Sequence, residues 1–125
     1  MKEVYGDASK ITDSTTERYF KLALREGNRG AFIAFVGQFR DMDTTTIQQI
    51  TTPTLIEWGD KDKWIPLDNA KRFHRDIKGS ELVIYPGVAH IPMEEIPAIS
   101  CADALRFFAK PTDSAKDDSV LAEKH

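Results

Sequence analysis

The chain has 125 residues, of which 41% are hydrophobic, so it can form one small domain with a modest core. Its formal net charge is −3 and its basic residues are scattered, which argues against a nucleic acid or an acidic membrane as partner. The single cysteine, Cys101, excludes an internal disulfide framework and a cysteine-built zinc site. No apolar run approaches the roughly 20 residues that span a bilayer, and no signal-peptide pattern begins the sequence. We therefore expect a soluble, cytoplasmic protein.

The amino-terminal part predicts two helices. Ser14 and Glu17 are spaced as a capping box, so we expect a first helix from about Thr15 to Glu26. Asn28 is suited to cap a second helix with a wide apolar stripe, formed by Phe32, Ile33, Phe35, Val36 and Phe39. Such a stripe should pack against a partner surface. Residues 41–49 are polar and rich in threonine, and they predict a connection.

From residue 54 onward the hydrophobic period changes. The runs Thr54 to Trp58 and Glu81 to Tyr85 predict two strands, and Leu67 to Ile77 between them has helical spacing. A crossover of this length joins parallel strands, so the turns that follow both strands emerge at one edge of the sheet. Pro97 predicts the first turn of a final helix whose core-facing residues are Ile99, Ala102, Leu105, Phe108 and Ala109.

Two further features concern the carboxyl-terminal part. Cys101 lies on the predicted final helix beside apolar residues, so we expect a buried structural thiol. The stretch Pro111 to His125 is rich in Asp, Lys and Ser and has little to bury, which predicts a disordered tail.

The residues able to perform chemistry are concentrated in the turns after the two predicted strands. Neighbouring strands lie about 4.8 Å apart, so these turns can bring the carboxylate of Asp62 within hydrogen-bonding reach of the imidazole of His90. In a nucleophilic hydrolase the histidine takes the proton from an attacking hydroxyl, while a carboxylate fixes its tautomer and stabilises the imidazolium. We therefore expect Asp62 to orient the imidazole and His90 to transfer the proton.

A cation site is the alternative use of the acidic residues in and after these turns, Asp60, Asp62, Glu94 and Glu95. Their spacing does not match a known set of ligands, and polar loops carry such residues by default. We therefore expect no metal and no cofactor.

Two motifs together resemble the carboxyl-terminal third of an α/β-hydrolase-fold protein. They read Ile50-x-x-Pro53-Thr54-Leu55-Ile56-x-Trp58-Gly59-x-x-Asp62-x-x-x-Pro66 and Tyr85-Pro86-Gly87-x-x-His90-x-Pro92-x-x-Glu95-x-Pro97. The resemblance covers about Ile50 to Lys110, and it is specific because both turns appear in order with a suitable separation. Ser14 to Gln38 resembles, less closely, the last helices of the cap that this family inserts over its active site.

The resemblance implies a partial α/β-hydrolase fold. Residues 47–110 would be the carboxyl-terminal β-α-β-α unit of its core, with parallel strands. Residues 1–46 would be a helical remnant of the cap, with the disordered tail at 111–125.

The same resemblance implies the roles of individual residues. Asp62 would be the acid and His90 the base of a catalytic triad, while Trp64 and Ile91 would line the substrate pocket. Asp60 is less suited to be the acid, because the family places that residue three positions after the glycine.

The sequence departs from the family pattern in three ways. It contains no G-x-S-x-G turn, so no nucleophile can be assigned, and the loop that supplies the oxyanion hole would lie upstream of Met1. We therefore expect negligible activity from this chain alone. Ala89 also stands where the family usually has glycine.

Two hypotheses for function remain open. The chain is either the carboxyl-terminal fragment of a hydrolase that cleaves an ester or similar bond in a small apolar substrate, with a missing amino-terminal half as partner, or a non-catalytic truncated relative that associates with itself. A two-stranded sheet with open edges is marginal alone, so both hypotheses predict association.

Overall fold

A computed structural model describes residues 2–37 and 44–111 of the chain. In chain order, its helices and strands are α1 (Asp13–Leu24), α2 (Asn28–Gly37), β1 (Leu55–Gly59), α3 (Leu67–Asp76), β2 (Glu81–Tyr85), α4 (Pro92–Glu95) and α5 (Pro97–Phe108). Two short 3-10 helices lie at Ala8–Lys10 and Thr45–Gln49. The expectations for Phe39, for the start of the polar connection and for most of the tail lie outside the described residues.

The strands β1 and β2 form a parallel sheet and are joined through α3, as the sequence predicts. Leu55 pairs with Glu81 and Gly59 with Tyr85, so the two strands end side by side. Ala70 of the crossover helix α3 is fully buried. This β-α-β-α order confirms the predicted partial α/β architecture, and it starts both functional turns at one edge of the sheet. The division of the chain at residues 46 and 47 stays a prediction.

The two turns pack backbone against backbone beyond the end of β1. The N–H of Lys61 donates to the carbonyl of Val88 at 2.9 Å. A Cβ atom at Gly59 would overlap the carbonyl oxygens of Val88 and Ala89, so only glycine allows this approach. Gly87 has a φ of 78°, a left-handed conformation that favours glycine. Glycines at these two points therefore let the second turn pass directly over the first.

The helix α1 begins two residues earlier than predicted. Its cap is Thr12, whose side-chain oxygen accepts the N–H of Thr15 at 3.1 Å. Asp13 in the first turn favours this start, because a negative charge there complements the helix dipole. The expected capping box at Ser14 and Glu17 is wrong, since both residues lie within the helix.

The described residues of the apolar stripe on the helix α2 are largely accessible to solvent. The helix contains no buried residue, and Phe32 and Ile33 are 67% and 71% exposed. No described residue buries Phe32 or Ile33, and the partner surface expected for this stripe stays a prediction. Within the same residues, no helix is long and apolar enough to cross a membrane.

The helix α5 turns a different face to the sheet than its apolar pattern predicts. Ser100 is its buried residue, and the Asp103 carboxylate is 3.0 Å from the hydroxyl of Tyr85. Small and polar side chains thus make the contact between α5 and the sheet. The stripe predicted to face the core is exposed, and Ile99, Leu105 and Phe108 are each more than half accessible to solvent. Cys101 is also exposed, so the expectation of a buried thiol is wrong.

Tyr85 links both strands to α5. Its hydroxyl is 2.5 Å from Oε1 of Glu57 and 3.0 Å from Oδ2 of Asp103. A hydroxyl has a single proton, so it can donate to only one of these carboxylates at a time. Burial, and then the hydrogen bonds to Glu57 and Asp103, raise the pKa of Tyr85.

The raised pKa of Tyr85 predicts a loss of stability in alkaline solution. In the unfolded chain a tyrosine ionises near pH 10, whereas native Tyr85 keeps its proton. Above about pH 10 the unfolded state therefore binds fewer protons than the native state, and the free energy of unfolding falls as the pH rises.

We expect Tyr85→Phe to reduce this alkaline slope, and to lower the free energy of unfolding at neutral pH by about 1–3 kcal/mol because the partly buried carboxylates of Glu57 and Asp103 lose the hydroxyl that they share. Urea titrations of both proteins at several pH values between about 7 and 11 measure the two effects. An equal slope in both proteins would contradict the prediction.

Candidate active site

The structure brings the predicted acid and base together at the edge of the sheet. His90 Nδ1 is 2.8 Å from Asp62 Oδ2, within the reach expected from the sequence. The Asp62 side chain is 4% exposed and that of His90 is 28% exposed. An ionised carboxylate can only accept, so Nδ1 carries the proton in this bond. Among the described residues, none hydrogen-bonds to Nε2, which leaves the second nitrogen available to another group.

The Asp62 carboxylate is oriented by its own loop. Its Oδ1 accepts the backbone N–H groups of Trp64 and Ile65, each at 2.9 Å. An aspartate that binds backbone two residues ahead forms an Asx turn, which closes the loop locally. One oxygen therefore stabilises the loop and the other is directed at His90.

Asp60 has a structural contact instead. Its Oδ1 accepts the N–H of Gly87 at 2.7 Å and so ties the acid turn to the histidine turn. This contact agrees with the expectation that Asp60 is less suited than Asp62 to be the acid.

Glu95 lies behind the histidine turn and is 4% exposed. Its carboxylate accepts the N–H groups of Gly6, Asp7 and Ala89, at 3.0, 2.8 and 3.0 Å. Sequence reasoning missed this arrangement because it joins residues about 90 positions apart. The one available signal was that a glutamate follows His90 at a fixed spacing in the second motif.

Glu94 is directed at the helical part of the chain. It accepts hydrogen bonds from the hydroxyl of Tyr19 and from Arg18, both at 2.8 Å, and from the hydroxyl of Tyr5 at 3.1 Å. Burial first, and then the contact with Glu94, raise the pKa values of Tyr5 and Tyr19. These contacts attach α1 to the segment that carries His90.

The acidic residues of the alternative cation site thus have separate protein partners. Within residues 2–37 and 44–111, no group of three or more His, Cys, Asp or Glu side chains is arranged to hold a metal ion.

A cavity of about 240 Å³ opens beside the acid and the base. Apart from Asp62 and His90, the side chains that line it are mostly apolar, and they include Trp58, Ile65, Pro92 and Met93. The sequence analysis did not predict these four as lining residues. Trp58 and Pro92 are named positions of the two motifs, and Ile65 and Met93 occupy unspecified positions within them. A larger cavity of about 400 Å³ lies between α3 and Thr45–Gln49 and contains neither Asp62 nor His90.

The two residues predicted to line the pocket lie next to it. The ring of Trp64 packs on His90, with 5.2 Å between the ring centroids, and its side chain is exposed. Ile91 directly follows His90 and caps α4. Neither side chain is part of the cavity lining, so their roles toward a substrate stay predictions.

Comparison with solved structures identifies the fold as that of the α/β-hydrolases. A serine hydrolase involved in carbazole degradation matches 86% of this chain with a TM-score of 0.78 and 28% identity, and the match covers 44% of that structure. An esterase from Exiguobacterium antarcticum matches the same share with a TM-score of 0.69. Its 20% identity makes it evidence for the fold alone.

The sequence comparisons identify the family. The model of the dienelactone hydrolase family matches residues 19–106, and the chain belongs to this family. It is 28% identical over 118 residues to the 2-hydroxy-6-oxo-6-(2'-aminophenyl)hexa-2,4-dienoic acid hydrolase of Metapseudomonas resinovorans. That match covers 90% of this chain and 41% of the relative. A proline iminopeptidase of Saccharolobus solfataricus is 39% identical over 61 residues, which is 48% of this chain and 19% of the relative.

The arrangement around Asp62 predicts which nitrogen of His90 is protonated. In Asp62→Asn, Oδ1 can still accept the two loop N–H groups, but an amide nitrogen then faces Nδ1 and donates to it. We expect the proton of the neutral imidazole to move from Nδ1 to Nε2. The protonated Nε2 could then no longer accept a proton from a nucleophile. Two-dimensional ¹⁵N–¹H NMR of the imidazole nitrogens measures this tautomer.

Asp60→Asn is the matched control, because Asp60 contacts Gly87 and not His90. Its imidazole should stay protonated on Nδ1. A tautomer shared by wild type and Asp62→Asn would contradict the assignment of Asp62 as the orienting acid.

Proposed function

We propose that this chain supplies the acid and the base of a serine-type hydrolase site that cleaves an ester or similar bond in a small apolar substrate. A segment outside this chain would supply the nucleophile and the oxyanion hole. The observation that carries the proposal is the contact between Asp62 and Nδ1 of His90, which leaves Nε2 free of hydrogen bonds from the described residues beside an apolar cavity.

The contacts of His90 suggest how it would act. Nε2 accepts the proton of an attacking hydroxyl as that oxygen bonds to the substrate carbonyl carbon, and Asp62 stabilises the imidazolium. The imidazolium then returns the proton to the leaving group as the bond breaks. In the second half-reaction the same nitrogen takes a proton from water as the water oxygen bonds to the acyl carbon. It returns that proton to the oxygen of the nucleophile as the acyl group leaves as an acid.

The lining of the cavity suits an apolar substrate. Its volume of about 240 Å³ is below the roughly 300–1,000 Å³ usual for complete ligand pockets, so this chain would form only one wall of the pocket. Trp58, Ile65 and Met93 on that wall suit an apolar group. The family's name denotes hydrolysis of a lactone, a cyclic ester, and the relatives' names denote hydrolases as well.

A complementary protein segment is the partner suggested by the partial coverage of the relatives. Since the chain spans 41% of the Metapseudomonas resinovorans relative, a complementary segment would complete both the sheet and the site. We also propose a cytoplasmic location, which the single cysteine suits because no disulfide within the chain is required.

A second candidate function is self-association without catalysis. It is favoured by large apolar side chains that are more than half exposed, on α2 at Phe32 and Ile33 and on α5 at Leu105 and Phe108. In this case a second copy of the chain, and not a complementary segment, would cover these side chains.

Active-site labelling tests the catalytic proposal. We expect no fluorophosphonate labelling of this chain alone. A chimaera in which the chain replaces the matching segment of the Metapseudomonas resinovorans hydrolase should be labelled and should hydrolyse small nitrophenyl esters. In the chimaera, His90→Ala should lower kcat by up to about 10⁶-fold and Asp62→Asn by about 10⁴-fold, since the acid and base act together with the nucleophile.

The unmodified relative and an Asp60→Asn chimaera serve as controls, and both should keep their activity. An active chimaera that is unaffected by His90→Ala would contradict the proposal.

Light scattering after size-exclusion chromatography tests the second candidate. If the chain associates with itself, its measured mass should be a multiple of 14.1 kDa and should fall when Phe32 and Ile33 are replaced by serine. A monomer at every concentration would contradict self-association.

A further inference from the structure

We infer that Glu95 is a positioning residue, which holds the imidazole of His90 on Asp62 by fixing the backbone of the histidine turn. The positioning of His90 by Glu95 matters for catalysis only if the proposed function holds. The positioning itself does not depend on that function. The inference starts from the unusual set of partners around the Glu95 carboxylate.

The Glu95 carboxylate joins two distant parts of the chain. Oε2 accepts the N–H of Ala89 and the N–H of Gly6, both at 3.0 Å, and Oε1 accepts the N–H of Asp7 at 2.8 Å. A buried carboxylate is costly unless it is hydrogen-bonded, and bonds from N–H groups to a charged acceptor are about twice as strong as neutral ones. The three donors therefore make this carboxylate a strong and directional link.

The link acts directly on the residue that carries the imidazole. Ala89 precedes His90, and the N–H of His90 itself donates to the carbonyl of Val4 at 3.0 Å. Two consecutive amides of the histidine turn are thus attached to residues 4–7, one directly and one through Glu95. This attachment fixes the direction in which the His90 side chain leaves the backbone.

The hydrogen bond between Asp62 and His90 depends on the direction in which the His90 side chain leaves the backbone. The distance of 2.8 Å between Nδ1 and Oδ2 leaves little tolerance, since hydrogen bonds weaken steeply with distance and angle. Asp62 is bound by its own loop and cannot follow a displaced imidazole. A shift of about 1 Å in the histidine turn would therefore separate the pair.

A glutamine could not replace Glu95 in this role. Its side chain has one acceptor oxygen and an NH₂ group that only donates. The NH₂ group would face at least one of the three backbone N–H groups, and that donor would lose its partner in a buried place. If the NH₂ group faces the Ala89 amide, that amide loses its acceptor directly. If it faces the amide of Asp7, the amino-terminal segment is displaced, and the Val4 carbonyl of this segment binds the N–H of His90. We expect the histidine turn to move in either case.

The neighbouring Glu94 offers a matched control. It has the same charge and lies on the same single-turn helix, but it accepts from the side chains of Arg18, Tyr5 and Tyr19 and from no amide of the histidine turn. Glu94→Gln should therefore disturb the attachment of α1 and leave the position of His90 unchanged.

The test is the tautomer of His90 in the full 125-residue chain, measured by ¹⁵N–¹H NMR at a pH where the imidazole is neutral. The wild type and Glu94→Gln should be protonated on Nδ1. Glu95→Gln should shift the ratio of the Nδ1–H to the Nε2–H form by about tenfold or more, as expected for loss of a hydrogen bond to a charged group. A purely structural role would lower the melting temperature and leave this ratio unchanged, and that result would overturn the inference.

A second variant guards against simple unfolding. Glu95→Asp keeps the charge but is one methylene shorter, so it cannot reach all three amides, and it should shift the tautomer in the same direction. Far-UV circular dichroism identifies the variants that are folded. Because no substrate or nucleophile enters this measurement, the inference about Glu95 can hold even if the labelling experiment fails.

Discussion

The parallel pairing of β1 with β2 is the constraint on which the rest of the structure depends. Because Gly59 lies opposite Tyr85, both strands end at the same level and their turns start within a few ångströms of each other. The glycines at 59 and 87 then let the second turn cross the first. Asp62 and His90 are distant in sequence, and they meet because the sheet brings their turns together.

Backbone amides hold most of the site in place. Asp60, Asp62 and Glu95 each accept at least one backbone N–H. The Asp60 bond joins the two turns, the Asp62 bonds close its own loop, and the Glu95 bonds connect the histidine turn to the amino-terminal segment. Such contacts depend on where the chain runs more than on neighbouring side chains. The arrangement is therefore set by the folding of the chain itself.

The sequence predicts those features that local chemistry determines. The bounds of β2, the parallel crossover and the proximity of Asp62 and His90 follow from period, length and turn residues. The orientation of α5 does not, because Asp103 faces Tyr85 on the sheet and the apolar stripe with Cys101 turns outward. The binding of residues 4–7 to Glu95 is equally invisible to pattern analysis, since no local signal links backbone amides to a side chain so far along the chain.

The single-turn helix α4 carries two adjacent carboxylates with opposite tasks. Glu94 is directed at α1 and Glu95 at the histidine turn, and neighbouring positions on a helix point about 100° apart. The identity of an exposed residue such as Met93 matters little to this division, whereas the number of residues between His90 and Glu95 matters greatly. Over evolution the other positions of this segment should therefore accept many substitutions, but the segment should accept almost no insertion or deletion, since one added residue would turn Glu94 toward the histidine turn and Glu95 away from it.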